Sequence, residues 1–322
     1  MADAMVMTVD ELRNDVPETG RGRWVVGVDG STCADNALRW AVANASGRAT
    51  GLELVTAWQT PAISGYPVGT PSLPYDEPEL RAAAVADLTS IADRVRGDLA
   101  IPVETAVGQG GAAEVLLAAA EGCDLLVIGS RGRGGFARLL LGSTSTQCAT
   151  HATVPTVVVP GDAETLPARR ILVGFDGSPN AMAALNWAID FAAPGSTMVV
   201  AWVWDATPLA VGSDAFFFPD ASDLAAERFH HLVEPAQDRA VAAGVKLERE
   251  FIRGTPRAAL SSHADEVDLV VVGARGHGAV GAALLGSVST WMLHHVHRPI
   301  AVIPFADDEV AEREPPPDVF RG

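Results

Sequence analysis

The chain reads as an α/β protein made of two tandem, doubly wound, Rossmann-like domains, each on a five-stranded parallel sheet. Three observations predict this. Short apolar runs alternate with helical patterns along most of the sequence. Several runs are nearly unbroken Val, Leu and Ile, such as DLLVIG at 124–129 and DLVVVG at 268–273, which suits strands buried on both faces. The pattern also repeats: WVVGVDGS at 24–31 returns as ILVGFDGS at 171–178, with Asp29 matching Asp176 and, at the same spacing, Trp40 matching Trp187. The repeat is one domain long, so it is a duplicated domain and not a short-period solenoid.

The elements follow in order. In the first unit, strands are expected at WVVGV (24–28), LELVTAW (52–58), IPVETAV (101–107), DLLVIG (124–129) and VPTVVVP (154–160). Parallel neighbours need crossovers, and helical patterns near 33–47, 79–97, 111–121 and 143–151 supply them. The second unit repeats the strands at 170–175, 197–202, 245–252, 268–273 and 299–304. The domains are expected at 22–161 and 169–306, joined by a linker at 162–168. Residues 1–21 and the tail at 307–322, which holds EREPPPDVFRG, are expected to be disordered. One long loop interrupts each unit, at 59–78 and 204–220, either as a functional cover or as a tolerated insertion. Phe216, Phe217 and Phe218 make the second loop apolar.

Bulk properties narrow the function. The 322 residues are 48% apolar, enough for two cores. A net charge of −17 argues against nucleic acid as a partner. Lys246 is the only lysine, which excludes a Walker-type phosphate loop in each half. Cys33, Cys123 and Cys148 form no disulfide or zinc pattern, which suits a reducing cytoplasm. No apolar run approaches the roughly 20 residues that span a bilayer, and the acidic N-terminal stretch lacks a signal core, so neither membrane insertion nor export is expected.

One motif carries chemistry. GSRGRGGFARLLLGSTST at 129–146 and GARGHGAVGAALLGSVST at 273–290 share the spacing Gly-x2-Gly-x9-Gly-Ser. It places Gly129, Gly132, Gly142 and Ser143 in one copy and Gly273, Gly276, Gly286 and Ser287 in the other. A buried strand ending in a glycine turn that opens a helix presents backbone N–H groups and a positive dipole end to phosphate. Gly129 and Gly273 would let a ligand approach the backbone, and Gly132 and Gly276 would expose their N–H groups. Ser143 and Ser287 read as helix caps, with Ser145 and Ser289 in the first turn adding hydroxyl donors. Loop glycines before an ordinary serine cap would look the same in one copy; two copies at one spacing favour phosphate. Asp29 and Asp176 end the first strands at the carboxyl edge, where doubly wound sheets bind ligands. Each would accept hydrogen bonds from a base or ribose, or cap the following helix.

These residues carry a resemblance. VGVDGS and VGFDGS, the two glycine motifs and the closing VPTVVVP and RPIAVIP strands together resemble the universal stress protein family over nearly all of residues 22–305, as a tandem member of its ATP-binding branch. The resemblance implies a strand order 3-2-1-4-5 and pairing of the two domains through their last strands, and it allows a homodimer. It implies ATP at the carboxyl edge, accompanied by Mg or Mn. Asp29 and Asp176 would lie by adenine and ribose, the backbone of Ala57 and Ala201 would face adenine, and Gly129 and Gly273 would lie near the ribose. Gly132, Gly142, Ser143, Thr144 and Ser145, with Gly276, Gly286, Ser287, Val288 and Ser289, would hold phosphates.

The copies differ where Arg133 is replaced by His277, which lowers the fixed positive charge or is only a solvated variation. GQGGAA at 108–113 follows the third strand and reads as a turn. His294, His295 and His297 are placed on the last helix at spacings that do not share one face, so a structural reading is favoured over a metal. The expected function is a cytoplasmic, nucleotide-dependent sensor or regulator, at most a weak ATPase. Its rivals are an AMP or cyclic-nucleotide receptor, an ATP-consuming enzyme, and an interaction scaffold with structural nucleotide.

Overall fold

The computed structural model describes residues 5–14, 22–59, 77–133, 141–205, 221–276 and 285–304. An N-terminal segment forms β1 (Met5–Met7) and α1 (Val9–Asn14). The first unit follows as β2 (Arg23–Gly27), α2 (Thr32–Ala45), β3 (Gly51–Trp58), α3 (Glu77–Arg96), β4 (Val103–Gln109), α4 (Ala112–Ala120), β5 (Leu125–Gly129), α5 (Ser143–His151) and β6 (Thr156–Val159). The second is β7 (Arg170–Gly174), α6 (Pro179–Phe191), β8 (Thr197–Trp204), α7 (Ala221–Ala242), β9 (Lys246–Arg253), α8 (Pro256–Ala264), β10 (Leu269–Gly273), α9 (Ser287–His295) and β11 (Ile300–Ile303).

The described strands form one sheet in the order β1-β4-β3-β2-β5-β6-β11-β10-β7-β8-β9. Within each unit the strands therefore lie third, second, first, fourth, fifth, all parallel. The junction is the exception: β6 and β11 run antiparallel, with Val157 opposite Ala301. Helices cover both faces, as parallel strands of Val, Leu and Ile require. One layer of core packs against α2, α3, α6 and α7, the other against α1, α4, α5, α8 and α9. No helix among the described residues is long and apolar enough to cross a membrane.

Local chemistry explains the first turn of each unit. Gly30 and Gly177 sit at φ +74° and +79°, a left-handed backbone that glycine enters without strain. Ser31 and Ser178 then cap α2 and α6, accepting the N–H groups of Ala34 and Ala181 at 3.2 Å.

The units are held together by more than the sheet. Trp40 of α2 stacks on Phe191 of α6 with centroids 6.0 Å apart and planes 4° off parallel. Trp24 packs against both rings, and Trp187 stacks on Phe191. The Arg48 guanidinium lies 4.6 Å over the Phe191 ring and donates to the Phe191 carbonyl at 2.6 Å. Asn44, fully buried, donates to the Trp40 and Leu166 carbonyls and accepts the Ala168 N–H, fixing the linker to the first unit.

The N-terminal segment corrects an expectation. Residues 1–21 read as disordered, but Met5–Met7 pairs in parallel with Ala106–Gly108 on the outer edge of β4. Met7 and Leu12 are buried against the core beside α4. MVMTVDEL carries apolar residues enough to cover an edge strand, and covering it removes a row of open ladder groups.

The three cysteines are buried and free. Burial raises the Cys123 thiol from the ordinary 9.0 to about 11 and pushes Cys148 up to about 12. The thiolate, not the thiol, reacts. Alkylation with iodoacetamide at pH 8 should leave Cys123 and Cys148 unlabelled until the protein is unfolded. Because both values lie above the unfolded one, their contribution to stability is intact below pH 9.0 and is lost as the pH rises through 11 and 12. Rapid labelling of either in the native protein, read by peptide mass, would contradict their placement.

Candidate functional site

A cavity of about 740 Å³ opens at the carboxyl edge of the first unit's sheet. Its floor is the ends of β2 and β3, with Val28, Asp29, Thr56, Ala57 and Trp58. One wall is α3, presenting Leu80, Ala84, Asp87, Leu88 and Ile91. The other is the glycine loop and the start of α5, with Arg131, Gly132 and Arg133, then Leu141 to Ser145. Of the first-unit residues expected to hold the nucleotide, only Gly129 is outside this lining.

The start of α5 has an unusual cap. Gly142, not Ser143, is the N-cap residue, and it offers no side-chain acceptor. No acceptor among the described residues takes the N–H groups of Ser143, Thr144 or Ser145; the first satisfied one is that of Thr146, on the Gly142 carbonyl. An uncapped first turn leaves donors and the positive dipole end facing the cavity. The Ser145 hydroxyl does not join them. It is buried and donates backwards to the Gly129 and Ser130 carbonyls at 2.9 and 2.8 Å. Ser289 does the same to Gly273 at 2.7 Å. These serines fasten the helix to the strand before it, and only their backbone faces outward.

Asp29 and Gly132 form a pair. The Asp29 carboxylate accepts the Ser31 and Arg133 N–H groups, both at 2.9 Å, and so ties the β2–α2 turn to the glycine loop. A Cβ on Gly132 would sit 2.6 Å from Asp29 Oδ2, and one on Gly276 would sit 2.6 Å from Asp176 Oδ2. The glycine is needed because the carboxylate arrives there. Gly129 and Gly273 correct the sequence reading. A Cβ on Gly129 would lie 2.5 Å from the Cys33 carbonyl carbon, and one on Gly273 would lie 2.8 Å from that of Asn180. They let α2 and α6 pack on β5 and β10, which by itself requires glycine there.

Strand register corrects a second expectation, the equivalence of Ala57 and Ala201. Gly27 pairs with Val55, and Gly174 pairs with Ala201. The next N–H in each unit repeats this, Val28 to the Val55 carbonyl and Phe175 to that of Ala201, both at 2.9 Å. The counterpart of Ala57 is therefore Val203. Ala201 is buried and has its carbonyl engaged, whereas Ala57 lies two residues further along and turns its backbone toward β2 beyond the last paired residue.

In the second unit, Gly286 is likewise a cap without a side chain, with Ser287 and Val288 in the first turn of α9. His277 and Phe216–Phe218 lie outside the described residues, as do 60–76 and 206–220 of the two long loops. The histidines near α9 point to separate partners. His295 stacks on Trp291, while His297, past the end of the helix, meets Asp162 of the linker at 2.7 Å. Among the described residues no three His, Cys, Asp or Glu side chains converge as metal ligands. The α3 wall was missed in the sequence, although Leu80, Ala84, Leu88 and Ile91 follow one helical face.

Known proteins are similar in sequence and in fold. The sequence profile of the universal stress protein family matches residues 21–160 and again 167–304. A universal stress protein of Mycolicibacterium smegmatis is 32% identical over 292 residues, covering 87% of this chain and 96% of the relative. One from Mycobacterium tuberculosis is 29% identical over 287 residues, covering 86% and 95%. Among solved structures, a universal stress protein from Archaeoglobus fulgidus superposes with a TM-score of 0.62 at 20% identity, over 89% of this chain and 97% of its own, a likeness of fold.

Proposed function

The chain belongs to the universal stress protein family, and from that premise we propose that it binds an adenine nucleotide, ATP, in the first unit's cavity and acts as a nucleotide-dependent sensor with little or no hydrolysis. The observation that carries this is the uncapped first turn of α5 opening into a cavity whose far wall is apolar except for Asp87. One end suits an anion and the other suits a ring.

The roles follow from position. The N–H groups of Ser143, Thr144 and Ser145 receive phosphate oxygens. Val28, Ala84, Leu88 and Trp58 flank the base. The backbone of Ala57 is placed to read its edge. Asp29 accepts one N–H at each oxygen, from Ser31 and from Arg133, and keeps further lone pairs for a ribose hydroxyl. Arg133 lies 3.6 Å from Asp87 across the cavity mouth, so both carboxylates of the lining already have partners and neither is poised as a base. The described residues supply no metal cage; a divalent ion arriving with ATP would keep phosphate and water ligands.

Ser143→Pro tests the assignment. Proline is favoured at the first helical position, and Gly142 before it has the extended backbone that a following proline needs (φ −89°, ψ 167°). The variant should fold normally while losing one donor to phosphate. A hydrogen bond to a charged group contributes about 1.5–3 kcal/mol, so ATP affinity should fall roughly 10- to 100-fold. Calorimetric titration showing wild-type affinity in the folded variant would reject the seat at α5.

A further inference from the structure

We infer that only the first unit takes nucleotide, because Trp202 closes the base slot of the second. The inference rests on the nucleotide reading above and concerns the other half of the duplication.

The register places the two slots in correspondence. Val28 and Phe175 occupy the same position, since each sends its N–H to the paired residue of the next strand, Val55 or Ala201. One residue beyond that partner lie Thr56 in the first unit and Trp202 in the second. In the first unit Val28 and Thr56 are small, and both line the open cavity. In the second unit both positions are large aromatics, and both are buried.

The rings are packed into the slot. Phe175 meets Trp202 edge-on at 5.9 Å, and Phe229 of α7 packs against both, at 6.0 and 5.6 Å. Phe229 is fully buried, so the helix facing the slot is drawn onto the rings. The indole also spans the slot's width. Its Cη2 and Cζ3 lie 3.2 and 3.4 Å from where a Cβ on Gly177 would stand, in the turn beside Asp176. Leu232 Cδ1 reaches the same point at 3.1 Å. In the first unit, the corresponding space at Gly30 meets the end of the Arg133 side chain, which stands at the cavity mouth and is mostly exposed. A base entering the second unit would have to lie where Trp202 lies, and moving Trp202 would break two aromatic contacts in a close-packed interior. The phosphate half of that site still has its glycine cap on α9, so the second unit keeps the anion end of the device without the ring end.

The test is nucleotide stoichiometry on the full chain, measured with ATP by calorimetry and by equilibrium dialysis. Wild type should bind one ATP per chain. Thr56→Trp, at a half-exposed position of the cavity floor, should lower that to none, with at least a 100-fold loss of affinity and an unchanged circular dichroism spectrum. Trp202→Thr should raise it to two. Should Trp202→Thr fail to fold, wild type and Thr56→Trp still decide the matter. Two ATP per wild-type chain would overturn the inference while leaving the nucleotide reading intact. A folded Thr56→Trp chain that still binds one ATP would overturn it as well. No binding by wild type would instead sink the nucleotide reading, and this inference with it.

Discussion

Trp40→Ala should destabilise the protein by about 3–5 kcal/mol, the cost of deleting a buried aromatic ring from a core that cannot fully collapse. Trp40 has no exposed surface and packs against Trp24 of its own unit and Phe191 of the other, which also pack on each other. Its loss therefore opens a void at the seam between the units, where Arg48 and Asn44 also meet the second unit and the linker. The urea midpoint should fall with little change in slope. A biphasic transition would mean that the seam had separated while each unit stayed folded. A loss below about 1 kcal/mol would show that the stack is ornamental to stability.

Thr144→Asp should have the largest effect on binding, and it separates binding from folding by sign. Thr144 is in the first turn of α5 and lines the cavity. A carboxylate there favours the helix dipole, adding about 0.3–1 kcal/mol of stability. The same charge faces the bound phosphates. At a separation near 4 Å and an effective dielectric of about 20, the repulsion is on the order of 4 kcal/mol, about a thousandfold in affinity. The expected result is a chain that melts no earlier than wild type and no longer retains ATP in equilibrium dialysis. Tight binding by a stable variant would place the phosphates elsewhere.

Much of this architecture was legible in the residues. The duplication, the buried parallel strands and the carboxyl-edge position of Asp29 and Gly142 follow from patterns that are local in sequence. What was misjudged depended on contacts across the fold. Gly129 reads as a ligand-facing glycine until α2 is packed on it. Ser145 reads as a phosphate donor until its hydroxyl is seen turned back to the strand. The Ala57–Ala201 equivalence failed for a subtler reason. AW occurs at 57–58 and again at 201–202, but the second AW lies two residues earlier in its strand, and a second tryptophan, Trp204, holds the place of Trp58. A shift of two preserves the face of a strand, so the alternation of buried and exposed residues gives no warning. The strand at Met5–Met7 was missed because three residues are too few to show a period.

The antiparallel seam between β6 and β11 has a consequence for signalling. Each unit is parallel within itself, so reversing direction at the seam sends the carboxyl ends of the two halves to opposite rims of the sheet. Gly142 and Gly286, which open α5 and α9, therefore lie at opposite rims. The molecule is two-headed: the cavity of the first half opens at one rim, and the carboxyl end of the second half's strands lies at the other. Any message between them must cross the short strands Thr156–Val159 and Ile300–Ile303 or the aromatic stack beside them, which makes that narrow waist the place where a mutation could disconnect the heads without emptying either.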